Sequence, residues 1–170
     1  MIRNAKSTDL NDILDIYNDV IMNTTAVYDY KPQALEERIS WYEKKVKEGY
    51  PLFVYEDKNH AIGYATYGAF RDWPAYKYTV EHSVHVHKDH RGKGVGTILM
   101  KELIKCANDK GYATMVAGID VNNEVSLIMH KKLGFTYCGT VRKAGFKFGR
   151  WLDLAFYQYE LRGPIQPEDG

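Results

Sequence analysis

Ser83-Val-His-Val-His-Lys-Asp-His-Arg-Gly-Lys-Gly-Val-Gly-Thr97 is the stretch on which the fold turns. Alternating apolar and polar residues run into a glycine cluster, and a helical pattern begins directly after it. The glycines let neighbouring backbone N–H groups crowd together and point outward. The helix that starts there adds a partial positive charge at its first turn. Together these features make a site for a pyrophosphate. Two familiar phosphate loops do not fit. A P-loop needs Gly-x-x-x-x-Gly-Lys-Ser/Thr, and Gly92-Lys-Gly-Val-Gly-Thr97 does not supply it. A dinucleotide fingerprint needs Gly-x-Gly-x-x-Gly, but Thr97 stands where the last glycine belongs. A plain tight turn is the remaining alternative from this segment alone.

Outward from the turn, Tyr78–His87 reads as the strand that enters it, and residues 95–109 as the helix that leaves it, ended by Gly111. Residues 2–5 read as a short first strand. Leu10, Ile13, Leu14, Tyr17, Val20 and Ile21 recur at helical spacing, behind a cap at Ser7 or Thr8. Pro32 stands where a second helix would begin, with Leu35, Ile39, Tyr42 and Val46 as its buried stripe and Gly49 as its end. Leu52–Glu56 and Ala61–Tyr67 are strands around the turn Asp57-Lys-Asn-His60. Downstream, Tyr112–Ile119 is a strand and Asn123–Leu133 a short helix stopped by Gly134. Phe135–Val141 and Trp151–Leu161 are the last strands, joined through Gly145 to Arg150. A single domain over residues 1–162 is expected, with Gly163–Gly170 as a frayed tail. The order β-α-α-β-β-β-α-β-α-β-β predicts an α+β fold. It implies a mixed, mostly antiparallel sheet of about seven strands with helices on both faces, a three-layer α/β/α arrangement.

Composition narrows the partners. A chain of 170 residues, 45% hydrophobic, can bury a real core. Its net charge of +1 has no block of one sign, so neither nucleic acid nor a membrane surface is expected. No apolar run approaches the length of a membrane span, and Met1-Ile-Arg-Asn-Ala-Lys6 lacks the apolar core of a signal peptide. Cys106 and Cys138 stand apart without metal spacing and read as reduced thiols of a cytoplasmic protein. Asn23-Thr-Thr25 matches a glycosylation sequon by chance in that setting. His82, His85, His87 and His90 invite a metal, but strand alternation splits them between faces and no cysteine joins them, so no metal is expected.

The spacing Arg91-x-x-Gly94-x-Gly96 resembles the Arg/Gln-x-x-Gly-x-Gly/Ala signature of the GNAT superfamily of N-acetyltransferases. Asn123-Glu-Val-Ser126 through Gly134-Phe135 resembles its second motif. Thr79-Val-Glu81-His-Ser83, Met129-His130-Lys-Lys-Leu-Gly134 and Arg142-Lys-Ala-Gly-Phe146-Lys-Phe-Gly-Arg-Trp151 resemble the phosphinothricin acetyltransferase family, over roughly residues 2–161. The element order agrees with that fold.

The resemblance implies an acetyl-CoA-dependent transfer to an amine. Arg91, Gly92, Lys93, Gly94, Val95, Gly96 and Thr97 would hold the pyrophosphate. The backbone of Val84, His85, Val86 and His87 would pair with the pantetheine arm and face the thioester oxygen, and Asn123 would contact the same arm. Most GNAT enzymes have Tyr at the His130 position; the phosphinothricin family has His. Glu81 is the candidate general base, and His130 an acid or a positioning group. By residue type alone, Glu81 could be an exposed strand residue and His130 a surface helix residue. Arg71, in the loop Phe70–Tyr76, would grip an acceptor carboxylate, unless it is simply a solvated loop arginine. Tyr28 and Tyr78 match aromatic positions of the same pocket. The implied acceptor is phosphinothricin, methionine sulfoximine or methionine sulfone, and the implied assembly a homodimer. A GNAT enzyme for a polyamine or protein N-terminus, or a non-catalytic acyl-CoA-binding module, are the alternatives.

Overall fold

The computed structural model describes residues 1–170. Its elements are β1 (Ile2–Asn4), α1 (Leu10–Asn23), α2 (Leu35–Glu48), β2 (Leu52–Asp57), β3 (His60–Ala69) and β4 (Thr79–Val86), followed by α3 (Val95–Asp109), β5 (Thr114–Asp120), α4 (Glu124–Leu133), β6 (Thr136–Lys147) and β7 (Arg150–Glu160). The order is the expected one. The strands form a single mostly antiparallel sheet, β1-β2-β3-β4-β5-β7-β6, in which β4 runs parallel to β5. The chain divides into two units. One comprises Met1–Tyr67 and Ser83–Leu103, the other Gly68–His82 and Ile104–Gly170.

In the first unit, β1 pairs with β2 and β2 with β3. Lys58 and Asn59 join β2 to β3 with φ of +48° and +67°, the turn whose twist matches the strands it connects. Leu10, Ile13 and Ile16 of α1 bury against Leu52, Val54, Ala61 and Tyr64, with Leu35, Trp41 and Tyr42 of α2 at the edge of this cluster. Gly63 points to the opposite face of β3. A Cβ there would stand 3.1 Å from both Val95 Cγ1 and Leu99 Cδ1, so the bare glycine lets the start of α3 lie close on the strand.

Two local expectations change in this unit. A short turn at Ser7–Asp9 precedes α1, and Asp9, not Ser7 or Thr8, occupies the cap position. Its carboxylate accepts from the Lys6 N–H at 2.7 Å and from Arg3 at 2.8 and 2.9 Å. Burial pushes the Asp9 carboxyl up, but these donors outweigh it and hold it below the usual range.

The second helix opens at Leu35 rather than at Pro32, with the Ala34 N–H donating to Glu37 Oε2 at 2.7 Å. Its buried stripe is also different. Ile39 and Val46 are 37% and 60% exposed, whereas Arg38 is 3% exposed. The Arg38 guanidinium carbon lies 4.0 Å from the Tyr17 ring centroid and 4.1 Å from that of Trp41. The aromatic faces accept the cation and its stem packs like an apolar side chain, so apolar periodicity points to the wrong face.

In the second unit, β5 pairs with β7 from Thr114↔Glu160 to Asp120↔Leu154, and β7 pairs with β6. β5 opens at Thr114 rather than Tyr112. β6 does not stop at Val141. Its register shifts between Val141 and Gly145, where Lys143 takes φ +53°, and pairing resumes at Gly145↔Leu152. A bulge interrupts the alternation without ending the strand. Phe148 and Gly149, at φ +53° and +73°, close the hairpin. The tail returns to the body: the Glu168 N–H donates to Tyr78 Oη at 3.0 Å.

Candidate active site

The glycine turn belongs to the first unit. The His87 N–H donates to the Ile62 carbonyl at 2.8 Å. A short turn at Lys88–His90 follows, its first N–H groups capped in part by His87 Nδ1, which accepts from Asp89 N–H at 3.3 Å. Gly92 and Gly94 have φ of +74° and +81°, a region other residues rarely enter. Nothing lies within 4 Å of where their Cβ atoms would be, so a ligand can approach the backbone. The Gly94 carbonyl accepts the Ile98 N–H at 3.1 Å and opens α3. The N–H groups of Val95, Gly96 and Thr97 thus lie in the first turn, beyond the reach of intrahelical acceptors. Val95 is buried beneath the turn, while Arg91, Gly92, Lys93 and Gly94 are exposed.

The cations of the turn are tethered. Arg91 Nη2 pairs with Asp19 Oδ2 at 2.9 Å and its Nε donates to the Val86 carbonyl at 3.1 Å. Lys93 Nζ donates to the Asp89 carbonyl at 3.0 Å. These contacts also sort the backbone of Val84–His87. Successive residues of a strand turn their N–H and C=O to opposite edges. With His87 bonded toward β3 and the Val86 carbonyl held by Arg91, Val84 N–H, Val84 C=O and Val86 N–H are the groups directed to the other edge. The His85 side chain is engaged too, edge-on to Tyr17 and Tyr64. Burial pushes its pKa down to about 4, with the Arg38 and Arg91 charges adding to the effect. Tyr28, in the segment between α1 and α2, is 42% exposed.

The second unit holds Arg71, Tyr78, Glu81, Asn123 and His130. The parallel ladder of β4 with β5 consists of Thr79↔Thr114, Val80↔Met115 and Glu81↔Val116, so Glu81 stands at its last rung. Burial raises the proton affinity of the half-buried Glu81, and the charge of Arg71 restrains it. Arg71 itself is exposed; its Nη1 donates to the Phe70 carbonyl at 2.7 Å and its guanidinium lies 4.2 Å from the Phe70 ring centroid. Tyr78 meets the backbone of Glu168, as described.

Asn123 and His130 stand toward opposite ends of α4. Asn123 Oδ1 accepts the Ser126 N–H at 3.2 Å and caps the helix. Gly134, at φ +104°, ends it. His130 is 2% exposed and is no surface residue. Its Nδ1 lies 2.7 Å from the Ser126 carbonyl and its Nε2 lies 3.0 Å from His82 Nε2. Burial lowers the His130 pKa, and the Ser126 carbonyl pulls the other way. His82 is the residue that sequence reasoning missed. Strand alternation sets it on the face of Val80, away from Glu81, and its partner is distant in the chain.

A family model described as the acetyltransferase (GNAT) domain matches residues 2–156. The chain is 44% identical to the L-methionine sulfoximine/L-methionine sulfone acetyltransferase of Pseudomonas paraeruginosa, covering 94% of each chain. It is 41% identical to the L-amino acid N-acyltransferase MnaT of Escherichia coli, over 98% of this chain and 97% of that one. Among solved structures, a GNAT superfamily phosphinothricin acetyltransferase from Sinorhizobium meliloti in complex with AcCoA is similar at a TM-score of 0.95 and 36% identity, covering 100% of this chain and 94% of that one.

Proposed function

The chain belongs to the GNAT family of acetyltransferases, and we propose that it moves an acetyl group from acetyl-CoA to the amine of a small amino-acid-like acceptor of the methionine sulfoximine, methionine sulfone or phosphinothricin type. The observation that carries this reading is Glu81, a half-buried carboxylate whose proton affinity burial raises while the Arg71 charge acts on it. A base is most effective when its pKa lies nearer the working pH than an ordinary carboxylate does.

The glycine turn suits the donor, because its open glycines and the first turn of α3 offer backbone N–H groups to a pyrophosphate. Acetyl-CoA supplies an activated carbonyl when bound. Arg91 and Lys93 add charge beside the turn. Val84 and the Val86 N–H offer a strand edge to an extended arm. A main-chain N–H there stabilises the oxygen that gains charge. Asn123 contacts the same arm. Arg71 grips the acceptor carboxylate, with Tyr78 as an aromatic wall. Glu81 takes the proton of the acceptor ammonium, directly or through a water. His130 assists as an acid or as a positioning group.

The same reading includes a homodimer in the cytoplasm. Tyr137, Phe146, Phe148 and Trp151 are all exposed on the β6–β7 hairpin, an apolar surface suited to a second copy. Cys106 and Cys138 form no disulfide, which suits a reducing compartment. A pocket for a natural amino acid also accepts toxic isosteres, which would confer resistance to them.

Thiol release from acetyl-CoA across a panel of amines tests the proposal. Methionine sulfone, methionine sulfoximine and phosphinothricin should be acetylated, and Glu81→Gln should lower kcat by about 100- to 10,000-fold with acetyl-CoA binding intact. Turnover confined to polyamines or peptides would discard the acceptor class. Tight acetyl-CoA binding without turnover would favour a binding module.

A further inference from the structure

A carboxylate stands at the glycine turn, where an anion would bind. Asp19, in the last turns of α1, pairs through Oδ2 with Arg91 Nη2 at 2.9 Å, although 72 positions separate them in the chain. A negative charge there weakens the pull of the turn on a phosphate, so charge alone gives Asp19 no use. Its geometry does.

Both oxygens of this carboxylate are engaged. Oδ1 accepts from Asn23 Nδ2 at 2.8 Å, one helical turn further along α1, and Oδ2 accepts from Arg91. The acid is thereby fixed on its helix. Arg91 is in turn fixed at two points, because its Nε donates to the Val86 carbonyl at 3.1 Å. A guanidinium is planar, so two held nitrogens fix its plane. Nη1 has no partner in the protein, and its N–H groups remain for a ligand. Lys93 differs. Its Nζ rests on the Asp89 carbonyl at 3.0 Å without a carboxylate, and an ammonium has no plane to orient.

The place of the fork gives this order a meaning. Val86 is the last residue of β4, and Arg91 stands directly before Gly92, whose φ of +74° begins the turn. The guanidinium therefore sits at the junction between the strand end and the turn. We propose that Asp19 is a positioning residue of the donor site: by holding Arg91 on the Val86 carbonyl it closes the end of the strand edge, and it fixes the guanidinium where the extended arm of the donor gives way to the pyrophosphate. This role rests on the acetyl-CoA reading. An unheld arginine loses rotamer freedom when it grips a ligand, whereas one already held does not. Orientation and charge thus act with opposite sign. Losing the orientation weakens donor binding, and losing only the negative charge strengthens it.

Titration calorimetry with CoA reads the sign. Asp19→Asn should weaken the CoA Kd by about two- to tenfold. In an Arg91→Ala background the same change should have no further effect, since Asp19 acts through Arg91. The Arg91 Nε–H signal in nitrogen NMR spectra of the free protein should exchange faster with solvent in Asp19→Asn. In thiol release, the KM for acetyl-CoA should rise by the factor seen in Kd, with kcat and the acceptor KM within about twofold of wild type. Tighter or unchanged CoA binding in Asp19→Asn, or an equal weakening in the Arg91→Ala background, would overturn the role of Asp19 while the acetyl-CoA reading stands. Wild-type protein that binds no CoA would overturn that reading and this role with it.

Discussion

β4 carries two histidines with opposite surroundings. His85, in the first unit, stands among the rings of Tyr17 and Tyr64, with centroids at 6.3 and 5.5 Å. Burial keeps it neutral, and the nearby cations Arg38 and Arg91 add to the effect. His82, in the second unit, meets a second imidazole whose own orientation is set by a main-chain carbonyl. One histidine is a packing residue with no use for a proton. The other is within hydrogen-bond reach of an imidazole. The residue type and strand are the same, so the surroundings decide: burial, with the cations adding to it, silences one imidazole, while the other lies against a second ring.

The largest effect should come from the silent end. The His85 pKa is about 4 in the folded protein against an ordinary 6.5. Between those values the unfolded chain binds the additional proton. The contribution of a neutral His85 is therefore complete above about pH 6.5 and is lost as the pH falls toward about 4, by up to about 3 kcal/mol. His85→Phe keeps a ring in place and should flatten this loss. Urea unfolding at about pH 7 and about pH 5 measures it. Equal losses in both proteins would break the contrast.

A smaller effect sharpens the other end. Gly134 takes φ +104°, and a Cβ there would stand 3.3 Å from Tyr159 Cε2. Gly134→Ala should cost about 1–2 kcal/mol. The His130 carbonyl accepts the Phe135 N–H at 3.0 Å across this turn, so the imidazole signals of the pair should shift. The acid profile that belongs to His85 should not. Thermal melts and nitrogen spectra of one variant report both.

The smallest effect is expected from Arg38→Met. It keeps most of the stem and removes one of the two cations that depress His85. The His85 pKa should rise, so less stability is lost on acidification, by under about 1 kcal/mol. The same urea pair measures it, and a change in the His82 signals would blur the contrast between the two ends.

The order of elements was legible because local chemistry writes it. Gly49, Gly111 and Gly134 each stop a helix in a left-handed conformation. Asn123 caps α4 as its position suggests. The turn at Gly92–Gly96 was legible for the same reason, since its shape needs glycine backbone rather than a distant side chain. The buried face of α2 was not. Leu35, Ile39, Tyr42 and Val46 have the right spacing, but Arg38 is buried because Tyr17 and Trp41 receive it, and that depends on tertiary contacts. The continuation of β6 was hidden by its bulge. The His82–His130 contact was hidden for a different reason: each residue has an ordinary local role, and only the folded chain joins them.

Gly63 lies in mid-strand and makes no turn. In a saturation scan of every position it should nonetheless score like a functional residue. The gap it leaves for Val95 and Leu99 sets how closely the first turn of α3 rests on β3, and the glycine turn rides on that helix. The turn therefore has less room to change than its exposed residues suggest, because one missing carbon atom acts as the gauge for its seat on β3.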